Sequence, residues 1–309
     1  MYFQHLNALR CFKISDSIES MDEMSISYKP SYTPSDFAFV EVWYKNGIIH
    51  RDDFPAVKFV ANNGNPGGEL HSEIYYSNGK IHRTYGPAVK IYYANSKRVK
   101  EEVYIKNGLV HSDYGPAVFR YFKTAFWRED EYGYIKEVVY FNNGVLERTD
   151  GPAWIEYFIG PPFTNTQYYS YGPIDQITYH LNGEVYKKSD YAVTSFHKNG
   201  NLKNKSHYKD ETDLPSEIRY HNNGVISKEI YTNDSYNFHR NNGPALKSYR
   251  DDGSVEYEIF YRNGQKHNEL GPAHIKYDLN NMPDMKYYLF DKQVSKRSFE
   301  KKMLTKLYW

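Results

Sequence analysis

The chain has 309 residues, with 39 basic and 38 acidic side chains for a net charge of +1, and a single cysteine, Cys11. One thiol makes no internal disulfide or thiolate metal centre, balanced charge argues against nucleic acid as a partner, and no run of ~18 uncharged apolar residues offers a membrane helix. Aromatic residues make up 17%, with Tyr at 33 positions, which points away from disorder and towards pleated, half-buried β surface.

Residues 1–36 carry no repeat. Met1 to Ser15 lacks the basic-then-apolar layout of a secretory signal, so the expected setting is intracellular. This stretch is expected to be a non-repeat N-terminal segment or cap.

Residues 37–290 are read as one continuous repeat array. Asn-Gly recurs at Asn46-Gly47, Asn63, Asn78-Gly79, Asn107-Gly108, Asn143-Gly144, Asn182, Asn199, Asn223 and Asn263-Gly264. Gly-Pro-Ala begins at Gly86, Gly115, Gly151, Gly243 and Gly271, with Phe54-Pro55-Ala56 as an altered sixth copy. Pro55, Pro87, Pro116, Pro152 and Pro272 each follow their Asn by nine residues, so both motifs belong to one unit of about 29 residues. Pro244 and Ala88 occupy the same registers in their own copies. Asn-Gly predicts a type I′ turn, whose two positive-φ residues suit an antiparallel hairpin. Gly-Pro predicts a kink or bulge at one margin of the sheet, because Pro has no ladder donor.

Tyr92, Tyr121, Tyr157, Tyr249 and Tyr277 lie five residues after Pro, four after Ala, and share its face of the strand. They are expected to pack as core. Residues 123–134 and 158–175 read as inserted loops, and the motifs fade between Ser195 and Tyr236.

Two polar columns accompany the turns. His50, His82, His111 and His267 follow the Asn of Asn-Gly by four, and His239 holds the same distance from its Pro. Equivalent residues stand two strands, about 10 Å, apart, too far to share a metal, so turn stabilisation is expected. Arg51, Arg83, Arg148 and Arg240 come next, interrupted by Ser112, Lys187 and Asn268. They are expected to pair with local acids such as Asp53 and Asp150, or with turn carbonyls.

From Ser295 the period becomes helical, with Phe299, Met303, Leu304 and Leu307 on one face and Ser295 as N-cap. Lys296, Arg297, Lys301, Lys302 and Lys306 against Glu300 give this end +4 and leave −3 elsewhere. Residues 291–309 are expected to cap the sheet edge, and these cations are the candidate contacts to a partner or acidic lipid.

Asn78-Gly79-Lys80-Ile81-His82-Arg83-Thr84-Tyr85-Gly86-Pro87-Ala88 resembles a MORN-type repeat, in the variant common in giant nucleocytoplasmic large DNA viruses. The terminal strand Tyr287 to Phe290 and the basic helix resemble that group too. The resemblance implies an all-β, elongated antiparallel hairpin array in a single twisted sheet with a short capping helix. It implies a non-enzymatic scaffold with no cofactor or metal, working through protein partners that include self or capsid and virion proteins. Its setting would be cytoplasmic or, for a viral protein, the virion. The alternative it carries is a peripheral membrane scaffold that binds acidic lipid through the helix and the Arg row.

Overall fold

The structure is a computed structural model that describes residues 24–28, 37–61, 68–94, 96–123, 133–159, 171–186, 191–207 and 214–307. It is mainly β, with one helix among the described residues, and divides into compact units at Gly133/Tyr134. Most of the two expected insertions, Asn63 and Cys11 lie outside the described residues.

The first unit is a meander in which each strand pairs antiparallel with the next. Its strands are β1 (Met24–Tyr28), β2 (Phe37–Lys45), β3 (Val57–Ala61), β4 (Glu69–Ile74), β5 (Val89–Tyr92), β6 (Val99–Val103) and β7 (Val118–Tyr121). Pairing runs without a skip from β1 to β7. Within the otherwise repeat-free N-terminal segment, Met24–Tyr28 adds an edge strand along β2.

The second unit repeats the scheme with β8 (Ile135–Val139), β9 (Trp154–Tyr157), β10 (Ile174–Thr178), β11 (Val193–Phe196), β12 (Leu202–Ser206) and β13 (Glu217–Tyr220). It continues through β14 (Ile226–Ile230), β15 (Leu246–Tyr249), β16 (Val255–Ile259), β17 (His274–Tyr277), β18 (Pro283–Leu289) and β19 (Lys292–Val294). Every neighbour pair from β8 to β19 is antiparallel, including the stretch where the sequence motifs fade. The closing helix α1 spans Lys296–Leu307.

Two kinds of turn alternate along the meander. At one margin a strand ends in a two-residue tip hairpin and returns through Gly-Pro-Ala, as at Tyr76–Ser77 with Lys80–Ile81. Asn46, Asn78, Asn107, Asn143, Asn182 and Asn263 have φ of 47–53° and the following glycines 73–84°, the type I′ geometry. Asn199 and Asn223 depart from that expectation, since only Gly200 and Gly224 have positive φ. They lie at the opposite margin, in five-residue reversals closed by His197 N–H to Asn201 O and His221 N–H to Val225 O. Their amide oxygens accept the N–H two residues on, at 3.1 and 3.0 Å, which fixes the Asx geometry.

Gly-Pro sits in a bend between tip and strand. The register shifts fall elsewhere: four come just before a Tyr, between residues 91 and 92, 156 and 157, 219 and 220, and 248 and 249, and others lie at 37/39, 59/60 and 195/196. After Pro, Ala56, Ala88, Ala117, Ala153, Ala245 and Ala273 are fully buried. Each accepts at its carbonyl the N–H of the aromatic residue where the preceding strand turns into its tip, from Trp43 and Tyr75 to Phe260. A larger side chain at these alanines would push neighbouring strands apart.

Candidate interaction surfaces

The repeated polar residues explain much of how one unit grips the next. At the tip margin the His column forms a relay. The N–H groups of Asn78, Asn107 and Asn263 donate to Nδ1 of His50, His82 and His239, at 3.1, 3.0 and 3.0 Å. Each histidine therefore accepts from the turn of the following tip, which places its proton on Nε2. Nε2 of His50 and His111 meets Asp52 and Asp113 at 2.8 and 2.9 Å. Lys45 and His50 hold Asp52 below the usual carboxylate range, and Lys106 and His111 do the same for Asp113.

The Arg column is a clamp. Arg51, Arg83, Arg148 and Arg240 lie 4.1, 3.8, 4.1 and 3.7 Å over the rings of Trp43, Tyr75, Tyr140 and Tyr231. Arg51, Arg83 and Arg240 also donate to the carbonyls of Pro55, Pro87 and Pro244. The other side of the guanidinium is Gly, and a Cβ on Gly86, Gly151 or Gly243 would come within 3.1–3.3 Å of it. Asn268 keeps the donor to Pro272 O at 2.9 Å, whereas beside Ser112 the space around Gly115 is open. Of the expected acid partners, Asp150 pairs with Arg148 at 2.7 Å. That bond raises the Arg148 pKa and lowers that of Asp150.

The Tyr column is buried at Tyr92 and Tyr121 and half-buried at Tyr157, Tyr249 and Tyr277. Its hydroxyls donate to a column of glutamates that sequence reasoning missed. Tyr92, Tyr121, Tyr249 and Tyr277 reach Glu73, Glu102, Glu229 and Glu258 at 2.8–3.2 Å. Those glutamates face lysines across the strands, in the register Glu41–Lys58–Glu73–Lys90–Glu102 from β2 to β6. The signal was a Glu 19 or 20 residues before each Tyr. Opposite charges directly across a sheet favour one register and penalise the slip that would bring like charges together.

At the margin of the five-residue turns a second set of staples runs along the array. His197, His221 and Arg250 donate to the carbonyls of Tyr220, Tyr249 and Tyr277, the tyrosines that end β13, β15 and β17.

The C-terminal end is closed by a truncated unit. Phe290 and Asp291 have φ of 50° and 61°, a type I′ turn without Asn-Gly. Phe290 N–H donates to His267 Nδ1 and Asp291 N–H to Lys266 O, the contacts a further tip would make. Ser295 Oγ accepts Ser298 N–H as N-cap, and Phe299 packs on Tyr287 with ring centres 5.0 Å apart. Lys296, Arg297, Lys301 and Lys302 are exposed, as is Leu304, while Lys306 stands in the last helical turn.

Among the exposed apolar residues, Tyr85 and Tyr114 stand in the loops ahead of β5 and β7 at 86% and 100% exposure, whereas Phe54, in the Gly position of its own copy, lies with its ring 5.1 Å from the Arg51 guanidinium. At the last loop Leu270 is 97% exposed. The same loop position holds Asp150 and Asn242 in other copies.

A family model described as a MORN repeat variant matches residues 192–210. Its described part, residues 192–207, holds β11, its five-residue reversal and β12, so the match supports a MORN-type repeat protein through the strand-to-strand hairpin. No curated protein matches the chain.

Proposed function

We propose that this chain is a non-catalytic scaffold that binds protein partners along its loop margins. One observation carries the reading. His, Arg, Tyr and Glu, the groups a catalytic or metal site would draw on, are tied to partners within their own repeat or the next, and Tyr rings that pack into no core stand exposed on the loops. MORN-type repeats in general serve as protein- or membrane-binding modules, which agrees with that division of labour. The setting we propose is inside a cell or, for a viral protein, an assembling virion. Affinity purification of the full chain carrying a photo-crosslinking residue at position 85 tests it. Cross-linking of a partner protein supports the scaffold role, and a chain that retains no protein from its native setting overturns it.

A second reading rests on α1, where four exposed cations stand beside exposed Leu304. Basic side chains over an apolar residue suit an acidic membrane surface. Flotation with anionic vesicles, with and without residues 295–309, decides it. A full chain that stays at the bottom of the gradient ends the membrane reading.

A further inference from the structure

We propose that the exposed pair Tyr85 and Tyr114 is a binding ridge for a proline-rich segment in the polyproline II conformation. The inference rests on the scaffold reading and names the partner chemistry of one of its margins.

The rings are not there for folding. Tyr85 and Tyr114 each precede the Gly of Gly-Pro-Ala in the loops that lead into β5 and β7, and the same loop position holds Asp53 in the first copy and Asp150 and Asn242 in the second unit. The matching loops keep the same Arg clamp over an aromatic ring with either kind of residue, since Arg83 and Arg240 stack at 3.8 and 3.7 Å. Tyr85 and Tyr114 leave 86% and 100% of their surface in water, so their apolar faces contribute nothing to the core.

Spacing selects the ligand. Strands β5 and β7 are two ladder steps apart, so the two tyrosine rings recur at about 9.6 Å. A polyproline II helix has three residues per turn and rises ~3.1 Å per residue, so it presents an equivalent face about every 9.3 Å. Pyrrolidine rings would sit between successive aromatics. The helix has no internal hydrogen bonds, so its carbonyls are free to accept from the Tyr85 and Tyr114 hydroxyls. An already extended ligand loses little entropy on docking.

Charge sets the polarity. At the same loop position one unit before Tyr85 stands Asp53, exposed and without an ion pair among the described residues. A Lys or Arg flanking the prolines at that end complements this carboxylate, and an acidic flank does not.

The test is fluorescence polarisation of the full chain with a labelled peptide of nine prolines ending in Arg. A Gly/Ser peptide ending in Arg and a β-1,4-linked glucosamine oligomer serve as comparison ligands. Saturable binding of the proline peptide alone is expected. Tyr85→Ser and Tyr114→Ser should each weaken it roughly tenfold without shifting the thermal midpoint, and Asp53→Lys should weaken the Arg-tailed proline peptide while leaving the same nine prolines without the Arg unchanged. Equal binding of the Gly/Ser peptide, preference for the glycan, or insensitivity to both Tyr substitutions would overturn the proposal. A partner cross-linked from position 85 despite a silent proline peptide would end this inference and leave the scaffold role standing.

Discussion

Replacing Arg83 by Ser copies into one repeat what Ser112 already does in the next, and it tests the clamp directly. The substitution removes a guanidinium 3.8 Å over Tyr75 and its hydrogen bond to Pro87 O at 3.2 Å. A half-buried cation–π contact contributes about 0.5–2 kcal/mol and a charge-assisted hydrogen bond about 1.5–3 kcal/mol. Both are open to water at one side, so we expect a loss of about 2 kcal/mol. Arg83→Lys keeps the charge but not the planar fork, and should lose about half of that. The reciprocal change, Ser112→Arg, places a guanidinium over Tyr104 where nothing lies within 4 Å of a Cβ built on Gly115. Ordering a new Arg side chain opposes the gain, so the net should be about 0.5–1 kcal/mol of added stability. Urea unfolding at constant m-value reads all three. An Arg83→Ser cost below ~0.5 kcal/mol, or Arg83→Lys indistinguishable from the wild type, would refute the clamp, because charge or nothing would then be enough.

Stability should also fall on acidification. Burial lowers the pKa of His180, and burial followed by Lys266 and Lys286 lowers that of His274. The unfolded chain binds more protons than the folded one between these lowered values and the ordinary ~6.5. Their contribution is therefore complete above ~6.5, declines as pH falls, and is fully lost below the folded values. His180→Phe, which supplies the ring that Phe141 provides in the preceding tip, should flatten the urea midpoint between pH 7 and 5, and an unchanged slope would count against it. At the tips, Gly79 and Gly108 both have positive φ, but only a Cβ on Gly79 meets a neighbour, Ile48 Cγ2 at 3.1 Å. Gly108→Ala should cost about 1–2 kcal/mol of backbone strain and Gly79→Ala measurably more, and equal losses in thermal unfolding would exclude the tip-to-tip contact.

Much of the site was legible because its period is written in the chain. Asn78-Gly79 specifies its turn locally, since few residues other than Asn and Gly accept two successive positive φ values. The identical motif at Asn199 folds differently, as its flanking strands pair directly and leave a five-residue reversal at the other margin. Phe290-Asp291 is the converse case. No turn motif marks it, yet the two bonds it makes to His267 and Lys266 hold it in the shape of a missing tip. The partners of the polar columns were hidden for a similar reason. Arg83 was expected to meet acids or carbonyls, but the ring it covers, Tyr75, lies eight residues back across a hairpin.

Sequence by itself determined the unit, its length, the turn chemistry and the buried Ala and Tyr registers, because these follow from local backbone preference and strand alternation. Tertiary structure decided which neighbour each polar group serves. His50 accepts from Asn78, 28 residues on, and Tyr121 donates to Glu102, 19 residues back. Those bonds depend on the order and register of strands, which no single repeat encodes. The same stacking sets Tyr85 and Tyr114 side by side, a spacing that exists only once the strands between them are paired.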